Sequence, residues 1–362
     1  MSATLTADSS RPAGDSPRQR QVTDFAEISG LIQAAGLMRR RYGYYWAKLV
    51  GMVAVFAAFV AAFLWIGDSW WQMPMAALLA VILTQTAFLG HDAAHRQMFR
   101  SGRWNEWMSL IVANLFVGLS YGWWQNKHTR HHGNPNKDTV DPDIDLPVLA
   151  FTPEQAAART SRFGRWFATH QGWFFFPLLL LEGLDLHYQG LKRVFGPERI
   201  AHRWAEITFL SVRLIGYLAL VLLVLSPGKA VVFLAIQLGL FGLYMGGSFA
   251  PNHKGMPIVP KDVKIDFLRR QVLMSRNVTG GRFIDTALGG LNYQIEHHLF
   301  PSMPRPHLRL AQPIIEKFCA DKGVLYTQTG LFTSYGIVIR YLNRVGLGDR
   351  DNFTCPLVQS YR

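Results

Sequence analysis

Hydrophobic positions fall in long blocks along this chain. Leu49 to Gly67 carries no charged side chain, and after Asp68 the chain is uncharged again from Ser69 to Gly90. Each block approaches the roughly 20 residues an α-helix needs to cross hydrocarbon. The pair reads as a transmembrane hairpin over 46–90 with Asp68 in its turn. A second hairpin occupies 205–252. Ile207 to Leu225 holds one charge, Arg213, then Ser226-Pro227-Gly228-Lys229 makes the turn, and Ala230 to Asn252 is uncharged. Arg213 lies near the start of its span, where it reaches the interface or faces the bundle. Trp107 to Asn126, uncharged for 20 residues, qualifies by length as a fifth span. Gln171 to Leu181, interrupted by Pro177, is shorter and predicts an interfacial segment.

Charge sets an orientation. Arg39, Arg40, Arg41 and Lys48 precede the first span, whereas the two turns on the other side offer Asp68 and Lys229. By the positive-inside rule, the N-terminus, residues 91–204 and residues 253–362 face the cytoplasm. Trp70 and Trp71 sit at the outer turn as interfacial aromatics do. The first 24 residues are polar and lack the apolar core of a signal peptide, so an N-terminal arm over 1–45 is expected to be partly disordered. The net charge of +13 is compatible with nucleic acid, but the basic residues flank spans and no nucleic-acid motif occurs. Anionic headgroups or an acidic redox partner fit better. Cys319 and Cys355 fall in the cytoplasmic tail, where no disulfide is expected to persist.

The candidate chemistry lies in histidines. Of twelve, seven form three clusters: His91 and His95, then His128, His131 and His132, then His297 and His298 in Gln294-Ile295-Glu296-His297-His298. Spacings of three and four put imidazoles on one helix face, and converging helices can present such stripes to a metal. The first cluster starts where the second span ends, and an eighth histidine, His253, stands where the fourth ends. The site therefore hangs just below one membrane surface. Neutral imidazole suits iron, zinc or copper, and eight nitrogens exceed one ion's coordination, so two metals are expected. A closed structural zinc site would be a four-ligand set, often with Cys. If 107–126 crossed the membrane, the first two clusters would lie on opposite sides, so this stretch is read as interfacial or re-entrant.

These clusters resemble, in order and separation, the three histidine boxes of membrane fatty-acid desaturases over roughly residues 46–320. The most specific stretches are Asn126-Lys127-His128-Thr129-Arg130-His131-His132 and Gly289 to Pro301. The resemblance implies an all-α integral-membrane fold, four transmembrane helices in two hairpins with a cytoplasmic helical cap holding a di-iron site. It implies iron ligation by His91, His95, His128, His131, His132, His253, His297 and His298. Gln294 stands where many Δ9-type enzymes carry histidine, which is similar to the front-end, Δ6-like branch, here in a bacterial plasma membrane; its amide is a further candidate donor. Front-end enzymes often carry a fused cytochrome b5 domain, and the chain has no His-Pro-Gly-Gly motif, so no bound haem or flavin is expected. Electrons would come from a separate ferredoxin or cytochrome b5 with its reductase.

Asp92, Asp138, Asp141, Asp143, Asp145 and Glu296 are candidates to accept the second N–H of a ligating imidazole. Trp123, Trp124 and Gln125 are candidates to line an acyl channel, although aromatics at an interface have the same pattern. The implied reaction is removal of two vicinal hydrogens from a long acyl chain, with O2 as co-substrate. An unactivated methylene has no acidic proton, so ordinary side chains cannot attack it. A hydroxylase or ketolase with the same site is the nearest alternative. A non-enzymatic membrane metal-binding protein is more remote, because the histidines cluster outside the spans.

Overall fold

In a computed structural model, residues 17–348 are described. The polar stretch 1–16 and Cys355 lie outside them. Helix α1 (Pro17–Ala34) leads into the first hairpin, α2 (Tyr42–Ile66) and α3 (Gln72–Ala94). Helix α4 (Gly102–Leu110) continues as a π-helical segment, Ile111–Val117, before α5 (Tyr121–Gly133), α6 (Pro153–Ala157) and α7 (Arg162–Phe195). The second hairpin is α8 (Arg203–Val224) and α9 (Pro227–His253). There follow α10 (Phe267–Leu273), β1 (Asn277–Thr279), α11 (Gly281–Ala287), α12 (Gln294–Leu299), α13 (Arg305–Asp321), β2 (Gln328–Gly330) and α14 (Leu331–Gly346). The short strands pair in parallel, Asn277 opposite Gln328, a minor addition to a helical fold.

Four helices, α2, α3, α8 and α9, are long and apolar enough to cross a membrane. Their shared core joins Phe63, Leu79 and Leu83 of the first hairpin to Val221, Phe233 and Phe241 of the second. At the far end Asp68 ties the two turns together: its carboxylate accepts from Ser226 N at 2.9 Å and pairs with Lys229 Nζ at 3.1 Å.

In three segments the structure adds detail that the pattern alone did not give. First, 107–126 is neither one helix nor a span. The π-segment ends at Gly118, whose φ of 95° belongs to the left-handed region that favours glycine. The amides of Gly118 and Leu119 both bond to Ala113 O at 2.9 Å, and the chain turns back into α5. The tip enters the bundle, where the Phe116 ring lies 5.3 Å from that of Phe56 midway along α2 and Val117 and Leu119 join the hairpin core. Of the two readings of this stretch, a turn whose tip packs inside the bundle fits the re-entrant one.

Second, Gln171–Leu181 is part of the 34-residue α7, which runs through Pro177. Charges interrupt its apolar pattern, but glycines set its packing. A Cβ at Gly183 would meet Leu238 O, and one at Gly242 would meet Gly183 N and Leu179 O, so α7 and α9 touch backbone to backbone. Third, the N-terminal arm is ordered at its end: Ile28 and Ile32 of α1 are fully buried in a cluster with Leu268, Leu308 and Ile315. Two apolar residues one helical turn apart were too weak a signal beside so much polarity.

Gly242→Val tests the close helix contact. Inserting a branched side chain into a packed contact costs about 1–3 kcal/mol, so the detergent-solubilised variant should melt at a lower temperature than the parent in a fluorescence-detected thermal scan.

Candidate metal centre

Four elements deliver the histidines. His91 lies in the last turn of α3, and His95 caps that helix. The second cluster occupies the C-terminal half of α5, whose N-cap Ser120 accepts from Trp123 N. His253 is the last residue of α9, and α12 carries Gln294, His297 and His298. Two contacts bring α12 and α13 to the end of α3. Gly289, at φ 59°, leaves space filled by the Phe88 ring. Arg305 pairs with Asp92 at 2.7 Å and donates to Phe88 O at 2.6 Å.

The eight histidines meet in two adjacent groups. His91, His95, His128, His132 and His297 form one, and His131, His253 and His298 the other; within each, the candidate ligand atoms all lie within 4.8 Å of one another. The groups abut where His132 and His298 stack at 4.2 Å.

Hydrogen bonds on the outer ring nitrogens decide what the inner ones can do. In the three-histidine group every Nδ1 has an acceptor: His131 donates to Asp141 at 3.0 Å, His253 to Met274 O at 2.9 Å, and His298 to Gln271 Oε1 at 2.9 Å. A neutral imidazole that donates through Nδ1 carries a lone pair on Nε2. Three lone pairs therefore point inward, with His131 Nε2 3.3 Å from His253 Nε2 and His298 Nε2 buried without a partner. The five-histidine group crowds its nitrogens in the same way without such acceptors on Nδ1 among the described residues, with His95 Nε2 2.8 Å from His128 Nε2, His297 Nε2 3.2 Å from His132 Nε2, and His91 Nε2 buried and unpartnered. Facing lone pairs repel unless a cation lies between them, and unpaired buried acceptors cost about 1–3 kcal/mol each. The donor set fits two metal ions, one in each group.

Electrostatics agree. Burial, reinforced by neighbouring imidazoles, holds His95, His128, His132, His297 and His298 well below the usual histidine pKa, so they are neutral and ligand-competent near pH 7. His131 differs: burial opposes its charge, but the Asp141 and Asp143 carboxylates outweigh burial and raise its pKa. The same carboxylates favour a metal cation on Nε2.

Of the acidic candidates, Asp141 meets a histidine most directly; it is fully buried and also accepts from Asn136 N at 2.8 Å and Asp143 N at 2.9 Å. Asp143 lies 3.4 Å from His131 Nδ1 and pairs with Lys127 at 2.9 Å. Asp92, 3.9 Å from His91 Nδ1, serves Arg305 instead. Glu296 points away and accepts from Asn277 at 2.7 Å and Tyr326 at 2.6 Å, while burial pushes its carboxyl up to about 7. Among the described residues no hydrogen bond joins Asp138 or Asp145 to a histidine.

Gln294 Nε2 donates to His253 Nε2 at 2.9 Å and its Oε1 accepts from Asn252 Nδ2 at 3.2 Å, so its amide borders the three-histidine group and occupies that lone pair in this structure. Trp124 stacks on His128 at 4.2 Å, Trp123 joins the hairpin core, and Gln125 bonds along its own helix to Thr129 at 3.2 Å. Sequence reasoning passed over Gln271, which holds His298 and donates to His132 O at 2.9 Å, and the Met274 carbonyl. Neither residue type stands out in a sequence.

Gln271→Leu should remove both bonds at little change in volume. Losing such an outer-shell partner typically costs about 10–100-fold in metal affinity. Titration of the purified variant against a metal buffer, read as bound metal per chain, checks this.

Comparison with known proteins agrees with this geometry. Residues 68–330 match the profile of the family described as fatty acid desaturase. The chain is 30% identical over 336 residues to an acyl-lipid (9-3)-desaturase of Physcomitrium patens, covering 91% of this chain and 64% of that protein. It is 28% identical over 341 residues to the Delta(6)-fatty-acid desaturase fat-3 of Caenorhabditis elegans, covering 90% and 76%. It is 26% identical over 349 residues to a Delta(8)-fatty-acid desaturase of Helianthus annuus, covering 93% and 76%. The chain thus spans just under two thirds of the length of the moss relative. The matched region runs through all three histidine clusters, α3 and the second membrane hairpin, and the chain belongs to the fatty acid desaturase family.

Proposed function

We propose that the protein is a di-iron fatty acid desaturase that introduces a cis double bond into a long acyl chain. The observation that carries this reading is the set of inward-facing Nε2 lone pairs, locked in the three-histidine group by the bonds of Nδ1 to Asp141, Met274 O and Gln271. One ion would be held by His91, His95, His128, His132 and His297. The other would be held by His131, His253 and His298, with the Gln294 amide beside it. When bound, the iron pair supplies the oxidising power, drawn from O2 and two electrons, that an unactivated methylene requires.

The protein's own part is placement. Both groups sit at the ends of α3 and α9, two of the four long apolar helices, so an acyl chain can approach from the bilayer without crossing a polar layer. Trp124, stacked on His128 and 5.5 Å from the His91 ring, offers an apolar wall where one carbon–carbon bond could be held against the metals. Trp123 would continue that wall into the membrane. The names of the relatives, with Delta(5), Delta(6) and Delta(8) among them, support a double bond placed toward the carboxyl end. The reducing equivalents would come from a separate ferredoxin or cytochrome b5 and its reductase. The site and both termini would face the cytoplasm, as the charge asymmetry requires.

Purified, iron-loaded protein should convert an unsaturated or saturated acyl substrate to a product two hydrogens lighter when supplied with O2 and a reducing chain, read by mass spectrometry. A product heavier by one oxygen atom would assign a hydroxylase instead, and turnover with NADPH alone would sink the separate-donor part of the proposal. In a cysteine-accessibility scan, positions near Thr139 and near Arg305 should label from the same, cytoplasmic side; labelling from opposite faces would break the topology.

A further inference from the structure

Beyond Arg203 at its first position, helix α8 carries two charges in a span that should have few. Glu206 and Arg213 are seven residues, two helical turns, apart and therefore lie on one face. Ionisable groups inside a span are costly and are retained when they face the interior and have work there. Neither is spent on the other. Both are spent on the re-entrant turn between the π-segment and α5.

Glu206 is fully buried. Its Oε2 accepts from the Ser120 hydroxyl at 2.6 Å and from Asn114 Nδ2 at 3.1 Å, and its Oε1 accepts from Gly122 N at 2.9 Å. Gly122 has no room for a side chain, because a Cβ would meet Glu206 Oε1 at 2.6 Å. Ser120 in turn accepts from Trp123 N at 3.1 Å, and Asn114 Oδ1 accepts from Tyr121 N at 3.3 Å. The first three amides of α5 are thus satisfied by Glu206 and by two side chains that Glu206 holds. A carboxylate at a helix N-terminus also meets the positive end of the helix dipole. Arg213 secures the other limb of the turn: its Nε donates to Phe116 O at 2.9 Å, and its guanidinium lies over the Tyr217 ring at 4.5 Å. Irregular backbone at membrane depth survives only if its polar groups find such partners.

The other end of α5 bears His128, His131 and His132, which contribute to both metal groups. At about 1.5 Å per residue, they lie roughly 9–15 Å along the axis from Gly122. A small tilt at the anchored end moves all three together. We propose that Glu206, with Arg213 in support, is a positioning residue for the metal centre: α8 fixes the start of α5 and thereby the aim of its three imidazoles. This rests on the proposed function in its metal-binding part only.

Hydrogen–deuterium exchange on the metal-free protein tests the anchor, and the visible absorption of the Co2+-loaded protein tests its effect on the ligands. In Glu206→Ala, amides 121–124 should exchange at least about tenfold faster, the Co2+ bands should shift, and Co2+ affinity should fall at least about tenfold. Glu206→Gln keeps an acceptor for Gly122 N and should recover most of both signals. Ser120→Ala, which removes one link, should move both in the same direction by less. A folded Glu206→Ala with unchanged Co2+ spectrum and affinity overturns the proposal. If Glu206→Ala does not fold, an unchanged Ser120→Ala spectrum overturns it equally. Faster exchange in a protein whose parent binds no Co2+ would overturn the metal reading, and the positioning role with it, while leaving the anchor as a purely structural contact.

Discussion

Eight imidazoles packed together, with ring nitrogens of each group within 4.8 Å of one another and three of them fixed as inward lone pairs, would scatter unless something held them. That mutual repulsion is the constraint to which the rest of the structure answers. Each of the four elements that bring a histidine is fixed by a contact outside the cluster. Arg305 fixes the end of α3 through Asp92, Glu206 receives Gly122 N at the start of α5, Asn136 Nδ2 grips His253 O at the end of α9, and Asn277 Oδ1 receives Ile295 N of α12. Arg276, buried, donates to Pro251 O and, at 3.0 Å, to Lys254 O, which closes the C-terminus of α9 just beyond His253. A cation between the nitrogens converts the repulsion into cohesion, so metal binding and the ordering of these helix ends support each other.

Much of this was legible in the sequence because its signals are collective. The four spans show as long apolar blocks, interrupted only by Arg213, and the histidines show by spacing. Gln171–Leu181 misled because α7 runs on past the apolar stretch through Glu182 and Asp185 and packs on α9 partly through glycines, and a glycine contact leaves no hydropathy signature. Helix α1 was invisible for a related reason: Ile28 and Ile32 acquire meaning only when α13 covers them. Arg213 shows the opposite case. Its oddity was plain in the sequence, but its reason, a carbonyl at the tip of a re-entrant turn, required the fold.

The outer shell of the site was the least readable part. Acidic residues near the boxes were natural candidates to orient the rings, and Asp141 does so. The other two acceptors in the three-histidine group are an amide side chain and a backbone carbonyl. Backbone groups have no sequence signature, and Gln271 is one glutamine among many. Conversely, Asp92 sits beside His91 in the chain yet bonds to a residue more than 200 positions away. Proximity along the chain was a poor guide to partnership.

Gln271 has one further consequence. Its oxygen takes the His298 ring of one group and its nitrogen takes the main chain at His132 of the other. A single planar amide therefore works as a rigid coupling bar across the junction where those two rings stack. A shift of α10 thus reaches both groups at once, and the two histidine groups are mechanically linked.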